Sequence, residues 1–331
     1  MFKFRSFFLG SIFIGFLMML FFTSLNSKTI AQNKTNKNYT IVIHGGAGYI
    51  SKDIPDSTKN IYLKSLKTAL SIGKNILSKG GKSIDAVEQV IRYMEDNPNF
   101  NAGKGAVFTA KGTHELDASI MEGKDLSTGA VAGVTIIKHP ITLAREVKEK
   151  TKHVLLAGPG ADQFGREVGV EIVNNHYFDT PRRLKNWKKR HNKKIDKHGT
   201  VGCVAIDIYG NIAAGTSTGG LSDKMHGRVG DSPLINAGTY ANNKTCGVSA
   251  TGIGELFIRN TVAFNISALM EYKGYSLKQA ADEMIHKRLK PGSGGIIAVD
   301  KDGNYVFSFN TKGMFRGVAN SKGLFEVKIW E

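Results

Sequence analysis

Gly199-Thr200-Val201-Gly202-Cys203-Val204-Ala205-Ile206-Asp207 is where a long polar, basic segment gives way to an apolar, β-branched run. The change places Thr200 at the mouth of a buried strand, where a loop feeds a sheet. Cutting the bond between Gly199 and Thr200 would make the threonine a new N-terminus. Its hydroxyl is then a nucleophile. Its freed α-amine, with a pKa of about 7.7–8.0, is the matching base near neutral pH. Gly199 suits the cut, because a residue without a Cβ tolerates the distorted backbone that brings its carbonyl under the hydroxyl. The dipeptide alone is common, so the reading depends on its neighbours.

The chain has 331 residues, 41% hydrophobic and 22% charged, which is ordinary for a globular protein; its 38 glycines imply many tight turns. Residues 1–31 read as a signal peptide. Lys3 and Arg5 precede an apolar run over 7–22, and Thr29 and Ala31 form a small-residue cleavage site. The run is shorter than the ~20 residues of a membrane span, which disfavours an uncleaved anchor. The expected destination is the periplasm or the cell exterior. Cys203 and Cys246 are the only cysteines and read as small core residues. Of the net charge of +17, segment 182–199 supplies nine Lys/Arg against one Asp. It reads as a mobile, solvated linker rather than a nucleic-acid patch.

The periodicity predicts a strand over 39–44 entering the glycine turn His44-Gly45-Gly46-Ala47-Gly48. A helix follows, with Leu63, Leu66, Leu70 and Leu77 on one face and Gly80-Gly81 at its end. A second helix, capped by Ser83, carries Ile84, Val87, Ile91 and Met94, and Pro98 closes it. Strands are expected over 130–137 and 153–157, with a short helix over 160–169. Hairpins turn at Tyr209-Gly210 and Asp302-Gly303, and two helices, about 255–272 and 276–289, lie between them. Clustered strands and helices suggest layered sheets covered by helices, an α+β protein.

Further motifs accompany Gly199-Thr200. They are the His44 glycine turn, Phe100-Asn-Ala-Gly-Lys-Gly-Ala-Val-Phe-Thr109 with His114-Glu-Leu-Asp-Ala-Ser119, Thr216-Ser-Thr-Gly-Gly220, Gly227-Arg-Val-Gly-Asp-Ser-Pro233 and Thr251-Gly-Ile-Gly-Glu255. In this order they make the chain resemble the plant-type (type 2) L-asparaginase/isoaspartyl peptidase family of N-terminal nucleophile hydrolases. The resemblance runs from about Tyr39 to about Arg316.

It implies a four-layer αββα sandwich made as an inactive precursor. The precursor cuts itself into an α subunit (32–199) and a β subunit (200–331), which together build one domain and pair as a homodimer of αβ units. By resemblance Thr200 is the nucleophile, Gly199–Thr200 the scissile bond, and Thr218 the hydroxyl in contact with the nucleophile. Arg228 holds a substrate α-carboxylate and Asp231 an α-ammonium. Thr251 and Gly252 form the oxyanion hole. Val229, Gly230, Ile253 and Gly254 belong to the same substrate pocket. Backbone carbonyls of Met94, Glu95, Asn97, Phe100, Ala102 and Lys104 match a structural sodium loop, although Asn97 and Lys104 depart from the residues expected there. No catalytic cofactor is implied.

The chemistry of the residues agrees. Arg offers a planar fork to a carboxylate and Asp pairs with an ammonium, so the two can read an L-aspartyl head. The expected activity is hydrolysis of β-aspartyl dipeptides and L-asparagine. Glycosylasparaginase is the alternative, although its pattern at the nucleophile is Asp-Thr. An uncleaved basic binder of anionic surfaces or nucleic acid is the reading from a different class. His114, Glu115 and Asp117 lack a further metal-ligand partner at useful spacing and read as structural. His44 reads as positional, Asn101 as support for the nucleophile's surroundings, and His198 as a linker histidine. Gly252-Ile253-Gly254 has no dinucleotide-binding context, and no phosphate-binding GxxxxGK[ST] loop is present.

Overall fold

A computed structural model describes residues 38–189 and 199–331. The expectations for segments 1–31 and 190–198 lie outside the described residues. The described residues form twelve strands. They are β1 (Thr40–Gly48), β2 (Leu116–Glu122), β3 (Thr128–Val134), β4 (Leu155–Ala157), β5 (Val201–Ile206) and β6 (Ile212–Thr218). After them come β7 (Thr239–Ala241), β8 (Cys246–Gly252), β9 (Gly294–Asp300), β10 (Tyr305–Phe309), β11 (Gly313–Asn320) and β12 (Phe325–Lys328). The helices are α1 (Asp56–Ser78), α2 (Ser83–Asp96), α3 (Pro140–Lys150), α4 (Gly158–Val168), α5 (Pro181–Lys188), α6 (Gly254–Arg259), α7 (Val262–Lys273) and α8 (Leu277–Asp282). One sheet has the order β12-β11-β1-β5-β6-β2-β3-β4 and the other β10-β9-β8-β7.

The strands at the centre of the larger sheet are buried along their whole length because both of their faces are covered. Alternate residues go to opposite sides. Ile41, Ile43, Cys203 and Ala205 pack with Leu66, Leu70 and Leu77 of α1 and Val87, Ile91 and Met94 of α2. Val42, Val204 and Ala214 pack with Val248, Ile297 and Val299 of the second sheet, where Val262 and Ile266 of α7 also lie. Full burial of each large aliphatic side chain contributes roughly 1.5–3 kcal/mol. Cys203 and Cys246 are buried free thiols on β5 and β8. Among the described residues no helix is long and apolar enough to cross a membrane.

Several local expectations are corrected. The His44 glycine turn is part of β1, which continues to Gly48 through an irregularity between His44 and Ala47. Ser83 is the first helical residue rather than the cap. Its N–H is satisfied by Asp207 Oδ2 at 2.9 Å, a carboxylate delivered from the distant β5–β6 turn. The 255–272 helix is broken at Thr261, where φ is 45°, into α6 and α7. Ser276 caps α8 in a reciprocal box with Gln279, and the helix then widens over Glu283–Arg288.

The described part of the basic segment is the docked helix α5. Thr180 caps it and Pro181 opens it. Arg182 donates to Tyr62 Oη at 2.5 Å and to the Asn99 carbonyl at 2.9 Å. Arg183 Nε reaches the Gly105 carbonyl at 2.7 Å, and Trp187 Nε1 the Thr109 carbonyl at 2.9 Å. Arg182 and Arg183 thus bond loop carbonyls, while Lys185, Lys188 and Lys189 stay exposed.

Helix α3 lies close on β3 because Gly129 carries no side chain. A Cβ there would overlap the Ala144 carbonyl oxygen and stand 2.6 Å from Lys148 N, both helix backbone. Backbone yields less readily than a side-chain tip. Gly129→Ala is therefore expected to lose about 1–3 kcal/mol of stability in urea denaturation. A midpoint equal to that of the parent would show that the contact does not constrain the helix.

Candidate active site

The ladder between β1 and β5 ends at the pair His44–Gly202, which leaves Thr200 just beyond the paired strand. Thr200 is buried, and its Oγ1 lies 3.2 Å from Thr218 Oγ1. The Thr218 hydroxyl donates to the Gly199 carbonyl at 3.2 Å and accepts from Gly220 N at 2.9 Å. Asn101 Nδ2 donates to the same Gly199 carbonyl at 2.5 Å and to the Gly220 carbonyl at 2.8 Å. The Gly199 carbonyl thus receives two donors while a threonine hydroxyl stands beside it. Gly46, at φ 110°, passes the spot so closely that a Cβ would stand 2.9 Å from Gly199 Cα.

A small cleft lined by Thr200, Thr218, Arg228, Gly230, Asp231 and Gly252, among others, opens next to this carbonyl. Arg228 is held from one side by Glu255 at 3.0 Å from both Nε and Nη2. Gly220, Gly230 and Gly254 leave room around its guanidinium. A Cβ on Gly230 would stand 2.7 Å from Nη1, and one on Gly254 would stand 2.9 Å from Nη2 and from Asp231 Oδ1. Asp231 is buried, and Oδ2 has no hydrogen-bond partner among the described residues. Burial pushes its carboxyl up to about 7, against its own backbone N–H and the nearby Arg228, which favour the charged form. The result is a guanidinium open on one side beside a buried carboxylate short of a partner.

Thr251 is fully buried behind Gly252, and its Oγ1 accepts from Ala47 N at 3.3 Å, which leaves the hydroxyl proton to be donated elsewhere. Gly252 packs on the Ser293 carbonyl, where any side chain would collide. Val229 and Ile253 are half-buried neighbours of these residues.

The expected cation loop follows α2. Carbonyl oxygens of Glu95, Pro98 and Phe100 crowd the turn Gly103–Gly105 where Cβ atoms would otherwise stand. Those of Met94, Asn97 and Ala102 turn back on local N–H groups at 3.1–3.3 Å. Clustered backbone oxygens are the donor chemistry of a hard cation. The Lys104 side chain leaves the loop for the Tyr177 carbonyl and ring. Within the core, burial raises the Glu95 carboxyl to about 8, and its Oε1 accepts from Ile141 N and Ser217 Oγ.

Other residues singled out by the sequence serve the scaffold. His114 bridges the Val107 carbonyl and Asp179. Glu115 accepts from Gly227 N and faces His226, while Lys224 lies 3.9 Å from buried Asp117, so this segment fixes the loop that carries Arg228. Two partners are not given by the motif reading, which expects Asn101 only as support for the nucleophile's surroundings. Glu255 partners Arg228, and Asn101 grips the Gly199 carbonyl. Both residues stand inside the quoted motifs, but only spatial proximity reveals their partners.

A family model described as Asparaginase matches residues 37–329. A putative isoaspartyl peptidase/L-asparaginase of Dictyostelium discoideum is 46% identical over 324 residues, covering 85% of this chain and 93% of the relative. An isoaspartyl peptidase of Escherichia coli (strain K12) is 44% identical over 292 residues, 83% and 91% of the two chains. An isoaspartyl peptidase/L-asparaginase of Homo sapiens is 43% identical over 288 residues, 84% and 92%. With a family match across nearly all described residues and relatives this similar over most of their length, the chain belongs to the asparaginase family that contains these isoaspartyl peptidases.

Proposed function

We propose that this protein is a self-processing amidohydrolase that cleaves β-aspartyl dipeptides and L-asparagine through an N-terminal Thr200. The observation that carries the reading is the Gly199 carbonyl, which is gripped by Asn101 and Thr218 with the Thr200 hydroxyl in the same network. In maturation Thr200 Oγ1 bonds to the Gly199 carbonyl carbon. Its proton goes to the departing Thr200 nitrogen, and the C–N bond breaks. The developing oxyanion lies on an oxygen that already has two donors, the arrangement that lowers such barriers. Water then opens the Gly199–Thr200 ester, leaving a Gly199 carboxylate and a free threonine amine. The contacts between helices and sheets support the αββα sandwich.

In turnover Arg228 pairs with the substrate α-carboxylate and Asp231 with its α-ammonium, which sets the β-carbonyl before Thr200. The Thr200 amine takes the hydroxyl proton and passes it to the leaving amine. Thr251 and Gly252 hold the oxyanion. Water, deprotonated by the same amine, hydrolyses the aspartyl ester. The names of the quoted relatives and the glycine at 199 disfavour glycosylasparaginase. The arginines of α5 are engaged within the chain, which weakens the nucleic-acid reading. A sodium ion on the 94–104 carbonyls, a homodimer of αβ units and export after removal of residues 1–31 complete the proposal. The cation would stiffen the loop that carries Asn101.

Maturation is checked by N-terminal sequencing and intact mass. The smaller chain is expected to begin Thr-Val-Gly-Cys and the larger just after Ala31. Thr200→Ala should remain one uncut, inactive chain, and full activity in that variant would refute the assignment.

Arg228→Lys keeps the charge but loses the fork. It should cost kcat/KM heavily, towards the roughly 2–5 kcal/mol of removing one partner of a buried ionic pair. Unchanged kcat/KM with β-aspartyl-leucine would remove Arg228 from the site.

Asp231 must be ionised to receive an ammonium, and burial holds its pKa near 7. Affinity is therefore present above that pH and lost as pH falls through it. Calorimetric titration of the mature enzyme with L-aspartate is expected to show about tenfold weaker binding near pH 6 than near pH 8. In Asp231→Asn, binding should be weak and this pH dependence absent. A flat profile in the parent would place the ammonium elsewhere.

A further inference from the structure

The Thr200 carbonyl has an unusual partner. Continuing the β1–β5 ladder would pair Thr200 with Gly46, but the ladder stops at His44–Gly202 and β1 turns irregular just beyond. The N–H that reaches the Thr200 carbonyl comes instead from His44 Nδ1, at 3.0 Å. On its other side His44 Nε2 meets Ser249 Oγ at 3.1 Å. Ser249 Oγ lies 2.7 Å from Thr216 Oγ1, which lies 2.6 Å from Thr239 Oγ1. Ser119 Oγ ends the row, 2.8 Å from Thr239 Oγ1 and 2.6 Å from the Ser232 carbonyl. All five side chains are buried.

The proton directions in this row follow from elementary chemistry. A carbonyl only accepts, so Nδ1 carries the proton. Burial pushes the imidazole down to about 3, so the ring is neutral and Nε2 must accept. Ser249 therefore donates to Nε2 and accepts from Thr216, which accepts from Thr239. The row reads in one direction, toward Thr200. Gly202 makes it possible, because a Cβ there would collide with both His44 Nε2 and Ser249 Oγ.

We propose that His44 is a positioning residue for Thr200, and that Ser249, Thr216 and Thr239 act through it by holding the ring in its Nδ1–H form. The inference rests on the reading of Thr200 as the nucleophile. Once the chain is cut, Thr200 is a strand terminus, and termini fray unless tied down. A bond to its carbonyl fixes the plane of the 200–201 peptide and with it the aim of the amine and hydroxyl. Ser119 stands at the head of this row, its single proton shared between Thr239 Oγ1 and the Ser232 carbonyl.

The test uses mature, processed enzyme and β-aspartyl-leucine. His44→Phe removes the N–H, whereas His44→Asn keeps one near the position of Nδ1. In His44→Phe kcat is expected to fall about tenfold to a hundredfold, as for a misaimed reacting group, with KM little changed. His44→Asn should recover most of the loss, and Thr216→Val should show a smaller fall. Parental kcat in His44→Phe, or no recovery in His44→Asn, would overturn the proposal. Should the variants fail to mature, ¹⁵N NMR of the parent decides. A neutral ring protonated on Nδ1 is expected, and protonation on Nε2 would overturn it. An inactive parent enzyme would instead count against the substrate reading, and the NMR result would still judge the positioning role.

Discussion

The end of the β1–β5 ladder at His44–Gly202 is the constraint on which the rest of the site depends. Up to that pair the two strands are fixed by regular pairing and by apolar side chains on both faces. Two residues farther, at Thr200, the chain must leave the sheet without losing its position, because Thr200 has to face a cleft rather than a neighbouring strand. Glycines at 46 and 202 provide the room, one for a close backbone pass and one for an imidazole folded across the strand. The Gly199 carbonyl is then presented to two donors and a hydroxyl, a geometry that a continued ladder would prevent.

The cleft beside it is an electrostatic arrangement with one member of each sign incompletely satisfied. Glu255 supports Arg228 from one side and leaves the rest of the guanidinium among glycines. Asp231 has lost its hydration without gaining a full set of partners, which is why its proton affinity rises. A zwitterionic aspartyl head supplies both missing charges at once. In the proposed reading, a ligand lacking its ammonium would leave Asp231 as it is, buried and short of a partner, and selectivity would come from leaving a polar group unsatisfied until the right substrate arrives.

Much of the fold could be read from the chain, because long amphipathic periods and glycine-turn hairpins are local signals. Helices α1 and α2 and the two hairpins follow from spacing alone. What escaped depends on residues far apart in sequence. Ser83 looks like a cap until Asp207 arrives from the β5–β6 turn. The break at Thr261 and the strands β2, β7, β8, β11 and β12 are tertiary outcomes of segments with weak or mixed periodicity. At the site, the motifs named Thr200, Thr218, Arg228 and Asp231, and the fold brings them to one cleft. The bonds from Asn101 to Gly199 and from His44 to Thr200 span 98 and 156 residues, and no local pattern encodes such distances.

The basic segment shows how composition misleads when position is ignored. Nine cationic residues against one acidic residue suggest a solvated tether. Yet Thr180 and Pro181 start a helix whose first two arginines land on carbonyls of the 98–105 turn, while Trp187 fastens the far end at Thr109. That same turn carries Asn101, whose amide grips the Gly199 carbonyl. The helix braces the turn that carries Asn101. Its first two arginines answer a local surplus of carbonyl oxygens. A stretch that composition marks as a tether thereby becomes part of the frame around the Gly199 carbonyl.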